Sequence, residues 1–350
     1  MRSRRRGAGL SGTAVHDGVR ILGAVLVRHV RTASALVLAF ALALCGCGSD
    51  GDQSASQRPV KLLLDFQPNA VHAGIYEALA KNYDGAEGVA LGVRVPGDTT
   101  DAVKLLVAGR TDLAILDIHD LALARERGRD LVGVMALVQR PLAAVLAEPG
   151  IRTPRDLEGK RVGVTGLPSD DAVARSIVAG AGGNPDRLRL TTIGFEAVRS
   201  LLTDRVAGAT AFWNAEGVAL RAKRPTIREF RVDDYGAPSY PELILTVTRK
   251  TLRDKRALVG DVVKALRRGY GAVISDPKAG LNALLSQTDG LDRATSRREL
   301  DAVLPAFKGA AKSYGELDRA RLSAWARWDK RFGIVKRLPD VSKAFDGSFT

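Results

Sequence analysis

The chain has 350 residues, of which 45% are hydrophobic and 26% charged; this excludes a disordered or collagen-like polymer and leaves room for two domains of ordinary size. A formal net charge of +14 raises nucleic acid as a partner. Seven arginines against one aspartate lie between Met1 and Arg31, so six of those charges belong to the N-terminal segment. The remaining charge is scattered, and no nucleic-acid partner is expected.

Thr32 to Leu44 is uncharged. It is too short for a spanning helix of roughly 20 residues, but it suits the apolar part of a secretory signal, about 7–15 residues. The run ends in Leu44-Cys45-Gly46-Cys47. With Leu44 at −3 and Gly46 at −1 relative to Cys47, it resembles the lipobox of bacterial lipoproteins. That resemblance implies a signal peptide over residues 1–46 and lipidation at Cys47. Cys45 would place bulky Leu44 at −1, and a redox or metal role for a pair separated by one residue beside a signal is disfavoured. Val27 to Arg31 already supplies a basic start, so a start codon downstream of Met1 is compatible with the leader. Gly48 to Gln57 is Gly/Ser-rich and polar, and residues 47–58 are expected to form a flexible tether. No cysteine follows Cys47, which excludes disulfides and thiolate metal sites beyond it. The expected location is the extracytoplasmic face of the cell membrane, held by lipid.

From Pro59 onward apolar runs alternate with helical stretches. Strands are predicted at Val60–Leu64, Leu91–Val95, Leu113–Leu116, Leu131–Ala136 and Ala143–Leu146, with helices near Gly74–Tyr83, Asp101–Ala108 and Leu121–Arg127. A break at Glu148-Pro149-Gly150 precedes a short helix started by Thr153-Pro154. Strands then follow at Arg161–Val164, Leu188–Thr192, Ala209–Phe212 and Ile227–Val232, with helices at Asp170–Val178 and Ala197–Thr203. Glu242–Thr248 is a returning strand, and Leu252 to Phe332 is helical with breaks near Pro277, near Gly290 and from Pro305 to Gly315. The predicted fold class is α/β, two lobes each with a mainly parallel sheet flanked by helices. One lobe takes residues 59–148 plus 242–350 with the helical tail, the other 149–241, and a ligand would occupy the cleft between them.

Metal and nucleotide chemistry find no support. Only His72 and His119 remain after the leader, and HExxH, calcium-loop, Walker and GxSxG patterns are missing. No catalytic residue, metal or cofactor is expected. Aromatic residues instead cluster at strand ends: Phe66, Tyr76, Phe195, Trp213, Tyr235 and Tyr240. Asn69, His72, Asp117, Asn214 and Glu216 accompany them, at the strand ends where open α/β sheets place ligands. Such planes with a few amide and carboxylate groups suit a flat heteroaromatic ligand, with Asn214 and Glu216 reading its ring edge. Packing is the competing explanation for Phe66, Phe195 and Tyr76, and a loop hydrogen bond for His72. His119 is expected at the rim or in the framework, and Trp325 and Trp328 on one packing face of the last long helix.

Leu64-Asp65-Phe66-Gln67-Pro68-Asn69-Ala70-Val71-His72-Ala73-Gly74-Ile75-Tyr76 resembles the opening of the thiamine-pyrimidine-precursor binding proteins of ABC importers, with Phe66 where that family usually has tryptophan. The resemblance extends through Asp112–Ile115, Ala136–Leu142, Leu157–Val164, Phe212-Trp213-Asn214-Ala215-Glu216-Gly217 and Asp234–Tyr240, roughly residues 60–290. It implies a clamshell of the periplasmic-binding-protein type II superfamily, monomeric, that delivers a formylated or hydroxymethyl aminopyrimidine to a permease and its ATPase. Phe66, Asn69, His72 and Tyr76 would line one lobe, and Trp213, Asn214 and Glu216 the other. Relatives of this architecture also bind riboflavin, sulfonates and nitrate, which stay open as ligands. A sulfonate would call for arginines or helix N-terminal amides in the cleft.

One branch of the superfamily is enzymatic. Fungal pyrimidine synthases consume an active-site histidine and carry a pyridoxal-phosphate lysine four residues before it. His119 matches that histidine, but Ile115 stands where the lysine would be, and the cysteine cluster of those enzymes is missing. The expectation is a binding protein.

Overall fold

The computed structural model describes residues 57–97 and 101–350. The leader, Cys47 and nearly all of the expected tether therefore lie outside the described residues; Arg58, its last position, opens the first strand. Chain order in the first half is β1 (Arg58–Leu63), a 3-10 turn at Ala70–His72, α1 (Ala73–Ala80), α2 (Tyr83–Ala86), β2 (Val89–Arg94), α3 (Asp101–Val107), β3 (Leu113–Asp117), α4 (Ile118–Glu126) and β4 (Leu131–Ala136). The second half runs β5 (Ala143–Ala147), a 3-10 turn at Pro154–Leu157, β6 (Arg161–Val164), α5 (Pro168–Gly180), β7 (Arg189–Thr192), α6 (Ala197–Leu202), β8 (Gly208–Phe212), α7 (Glu216–Lys223) and β9 (Arg228–Arg231). Then come β10 (Leu243–Thr248), α8 (Arg249–Asp254), α9 (Arg256–Ser275), α10 (Pro277–Ser286), α11 (Arg293–Lys308), α12 (Arg319–Arg331) and α13 (Val341–Ala344).

Two five-stranded sheets result, ordered β2-β1-β3-β10-β4 and β7-β6-β8-β5-β9. Neighbours pair in parallel at β1/β2, β1/β3, β6/β7 and β6/β8, while β10 runs antiparallel to β3 and β4, and β5 antiparallel to β8 and β9. Each sheet therefore receives one reversed strand, in its fourth position, from the segment that crosses between them. Helices on both faces bury these sheets, which is why β4 and β5 are apolar and buried along their whole length.

This pairing moves one boundary. Ala143–Ala147, on the first-lobe side of the expected 148/149 division, hydrogen-bonds within the second sheet. The chain thus crosses at Leu137–Leu142, and Glu148-Pro149-Gly150 is a turn inside the second half. Composition could not reveal this, because β4 and β5 are equally apolar. Three helices, α2, α7 and α13, stand where the sequence pattern predicts none. The break expected from Pro305 begins later, since α11 runs to Lys308 with Pro305 inside its last turn. Helix α1 meets α9 through glycines: a Cβ on Gly269 would stand 2.1 Å from the Gly74 carbonyl oxygen, so only glycine permits this approach. No helix among the described residues is long and apolar enough to cross a membrane.

Candidate functional site

The carboxyl ends of β1 and β3 in the first sheet face those of β6, β7 and β8 in the second, and a cavity of about 1050 Å3, part of it open solvent, lies between them. Asp65, Phe66 and Asn69 enter it from the turn after β1, and Asp117 and Asp120 from the β3–α4 junction. Thr165 and Asp170 come from the β6–α5 junction, Phe195 from the turn after β7, and Thr210, Asn214 and Glu216 from β8 and the start of α7. Of the sequence-derived candidates, Phe66, Asn69, Asp117, Phe195, Asn214 and Glu216 are brought together here.

Phe66 and Phe195 meet edge to face across the cleft, with centroids 4.6 Å apart and planes at 73°. Phe195 is 45% exposed, a high value for an aromatic ring and consistent with a rim position. Asn69 caps the 3-10 turn, its Oδ1 accepting from the Val71 amide at 2.9 Å. Asn214 is fully buried, yet neither its Nδ2 nor its Oδ1 has a hydrogen-bond partner. A buried carboxamide left unpaired costs about 1–3 kcal/mol. An amide or amidine edge in the cavity would satisfy both of its ends at once.

Glu216 opens α7, and its Oε2 accepts from the Phe212 amide at 3.2 Å. Burial raises its pKa, opposed by the backbone amides it accepts from. Burial likewise raises Asp170, whose carboxylate accepts from the Thr165 amide at 2.9 Å and from the Thr165 hydroxyl. Asp120 is pushed up to about 8 by burial and by the Asp117 charge. Asp117 is raised well above the usual range by burial, against the pull of His119. Five carboxylates therefore line the cleft, and no lysine, arginine or histidine among the described residues joins them.

The other candidates lie outside the cavity. His72 is fully buried behind it: Nδ1 accepts from the Asn69 amide at 3.2 Å, so Nε2 carries the proton and donates to Asp65 Oδ1 at 2.9 Å. Its place is to orient Asp65. Tyr76 packs with Ala283 and Leu284 in a separate apolar cluster, because the α1 turn carrying it faces α10. Trp213 donates from Nε1 to the Pro141 carbonyl at 2.9 Å, and the Arg231 guanidinium lies 4.1 Å from its ring centre. The ring is thus committed to the crossover segment and a cation. Tyr235 stacks edge to face on Phe230, and Tyr240 is fully buried with its hydroxyl 3.1 Å from His119 Nε2.

His119 sits behind the cleft floor, 1% exposed, with Nδ1 2.8 Å from Asp329 Oδ1. Burial pulls its pKa down, but the Asp329 and Asp117 carboxylates outweigh this and push it up to about 10. Glu242, at the start of the returning segment, accepts from the Leu142 amide and from the Ala143 amide at 3.2 Å, tying the two crossover segments together. Asp117, His119 and Glu242 have donor atoms within 4.8 Å of one another. Both imidazole nitrogens are already engaged, however, and this trio is a buried charge network rather than a metal centre. Pyridoxal phosphate also fits poorly: Ile115 lines the cavity where a lysine would be needed, and among the described residues no basic side chain is there to hold a phosphate.

Sequence reasoning missed Asp65, Asp120, Thr165, Asp170 and Thr210. All but Thr210 follow the carboxyl end of a strand, so the rule that located Asn69, Asp117, Asn214 and Glu216 reaches them only when it is extended to every polar residue past those ends.

A family model described as NMT1/THI5 like matches residues 69–280. The chain is 32% identical to the formylaminopyrimidine-binding protein of Halalkalibacterium halodurans over 66% of its own length and 71% of that protein. It is 20% identical to a 4-amino-5-hydroxymethyl-2-methylpyrimidine phosphate synthase of Uromyces fabae, over 83% of this chain and 86% of that one. In structure it resembles the alkanesulfonate-binding protein SsuA of Xanthomonas axonopodis pv. citri bound to MOPS, with a TM-score of 0.66 at 16% identity, covering 84% of this chain and 100% of that one. This last likeness establishes the fold, that of the type II periplasmic binding proteins.

Proposed function

The chain belongs to the NMT1/THI5-like family, and from that premise we propose that it is an extracytoplasmic solute-binding protein of an ABC importer. It captures an aminopyrimidine of the thiamine-precursor type between its sheets and delivers it to a permease and ATPase. Residues 1–46 act as an export signal, and lipid on Cys47 holds the protein at the membrane. The observation that carries the ligand reading is the cleft lining: two phenyl rings, an unsatisfied Asn214 carboxamide and five carboxylates, without a basic side chain among the described residues. A sulfonate, nitrate or phosphorylated ligand would enter against those carboxylates with no cation to receive it. An aminopyrimidine offers a stacking face, amino donors for Glu216, and adjacent donor and acceptor groups for Asn214. The same lining, with Ile115 in place of a lysine and His119 held behind the floor, favours capture of the ligand over synthesis.

The test is thermal-shift and calorimetric titration of the exported chain with hydroxymethyl- and formylaminopyrimidine, riboflavin and an alkanesulfonate. A pyrimidine at a hundredfold excess over Kd should stabilise by about 2.7 kcal/mol. Glu216→Gln should weaken that binding by about 1–3 kcal/mol through loss of a charge-assisted bond. A shift with the sulfonate and none with a pyrimidine would falsify the reading.

A further inference from the structure

Charge that is scattered along the sequence is gathered by the fold at one edge of the first sheet. Strands β1, β3 and β4 run in one direction and β10 in the other, so the amino ends of the three and the carboxyl end of β10 share the edge opposite the cleft. Arg125 and Arg129 precede β4 there, and Thr248 of β10 pairs with Leu131 of β4, which brings α8 alongside. The run from Arg249 to Arg256 holds five cations and one carboxylate, Asp254. Arg125, Arg129, Arg249 and Lys343 line one open hollow, where Asp130 is the single carboxylate among the described residues. Acids are too few for these cations. Arg125 and Arg249 share Asp130, at 3.0 and 3.5 Å, and Lys250 and Arg253 share Asp254. Lys255, Arg256 and Lys343 have acids of their own in Asp112, Asp346 and Asp340. The side chains of Lys250, Arg253 and Lys343 are 79, 69 and 74% exposed, and ion pairs so exposed are weak enough for another anion to replace them.

We propose that this edge binds an anionic phospholipid surface, the hollow taking one phosphate headgroup and the exposed cations of α8 its neighbours. The place where the chain enters argues for a membrane as the occupant. Arg58, the first residue of β1, stands on the same edge, three strand spacings from β4, or about 14 Å. Ten residues separate it from Cys47, and ten residues reach at most about 36 Å. A lipid on Cys47 therefore keeps the hollow close to the bilayer, where basic side chains are drawn to anionic headgroups within a Debye length. The inference rests on the proposed anchor for its purpose. The lipid holds the protein at the membrane, and the basic edge decides which end meets it, leaving the cleft, at the far ends of the same strands, open to solution.

The deciding experiment is co-sedimentation of the exported Cys47→Ser chain with vesicles of phosphatidylcholine, alone or with about a third phosphatidylglycerol, so that no lipid on the protein contributes. At low salt the anionic vesicles are expected to bind at least tenfold more tightly than the neutral ones, and high salt should release the protein. The combined change Lys250→Glu, Arg253→Glu and Lys343→Glu should weaken that binding tenfold or more, and the corresponding glutamines severalfold, with melting temperature and pyrimidine affinity retained. The same charge change on the second sheet, Arg189→Glu, Arg199→Glu and Arg205→Glu, should have little effect. Equal binding to both vesicles, equal loss in both triple variants, or no binding, as an acidic protein partner would give, overturns the proposal. So does displacement by inorganic phosphate beyond that by chloride of equal ionic strength, which would mark the hollow as a site for the free anion. The anchor fails separately, if the Cys47→Ser chain stays with cell membranes through a high-salt wash.

Discussion

Asn214 separates function from stability more cleanly than any other residue of the cleft. Its carboxamide makes no hydrogen bond within the protein, so the folded state gains little from it and bears its desolvation cost. Asn214→Leu, of similar shape, should leave thermal stability unchanged or raise it by up to about 1–3 kcal/mol, while pyrimidine affinity falls tenfold or more. Melting curves and titrations on the same variant check both halves, and lost stability with retained affinity would make Asn214 a framework residue. The sequence already pointed to Asn214 and Glu216, because a polar pair just past a strand end seldom serves a core. It misled for the neighbouring Trp213. An indole can stack on a ligand or donate to a buried carbonyl, and only the position of the Pro141 oxygen, 72 residues away in sequence, decides which.

Among the elements, the junction of α4 with the terminal helices shows how a buried charge is tolerated. His119 near the start of α4 pairs with Asp329 of α12, 0% exposed, and packs against Trp325 and Trp328. Of the two tryptophans, expected on one packing face, Trp328 serves as an apolar wall, while Trp325 brings its indole Nε1 to 3.1 Å from His119 Nδ1. His119 has a folded pKa of about 10 against about 6.5 for an unfolded histidine, so the folded state holds its proton more tightly. Its stabilisation is fully present below about pH 6.5 and is lost as the pH rises through about 10. Burial raises Asp117 and Glu242, which also makes the folded state hold protons and adds to the loss in the same direction. Denaturant midpoints should therefore decline from neutral to pH 10. His119→Leu, which strands Asp329, should cost about 3–5 kcal/mol at pH 7 and flatten the decline. A midpoint flat with pH in the unmutated protein would show that His119 is neutral. Nothing in the sequence signalled this network, since its members are separated by up to 212 positions and become neighbours only when α12 docks on the first sheet.

For the molecule as a whole, the proposed place in the cell rests on Cys47, which lies outside the described residues. If Cys47 carries the lipid, Cys47→Ser should move the protein from the membrane fraction to the soluble extracytoplasmic fraction. Fractionation that leaves it with the membrane removes the anchor from the account. The division of labour between sequence and fold is sharp in this chain. Strand order, the α/β class and the placement of Phe66, Asn69, Asn214 and Glu216 just past strand ends were legible because each depends on local periodicity or a short motif. Which sheet β5 joins, which aromatics face the cleft and which carry the core, and the gathering of five carboxylates into one cavity were decided by tertiary structure. Strand pairing and the crossing of the chain between sheets bring together residues whose separation in sequence holds no trace of their separation in space.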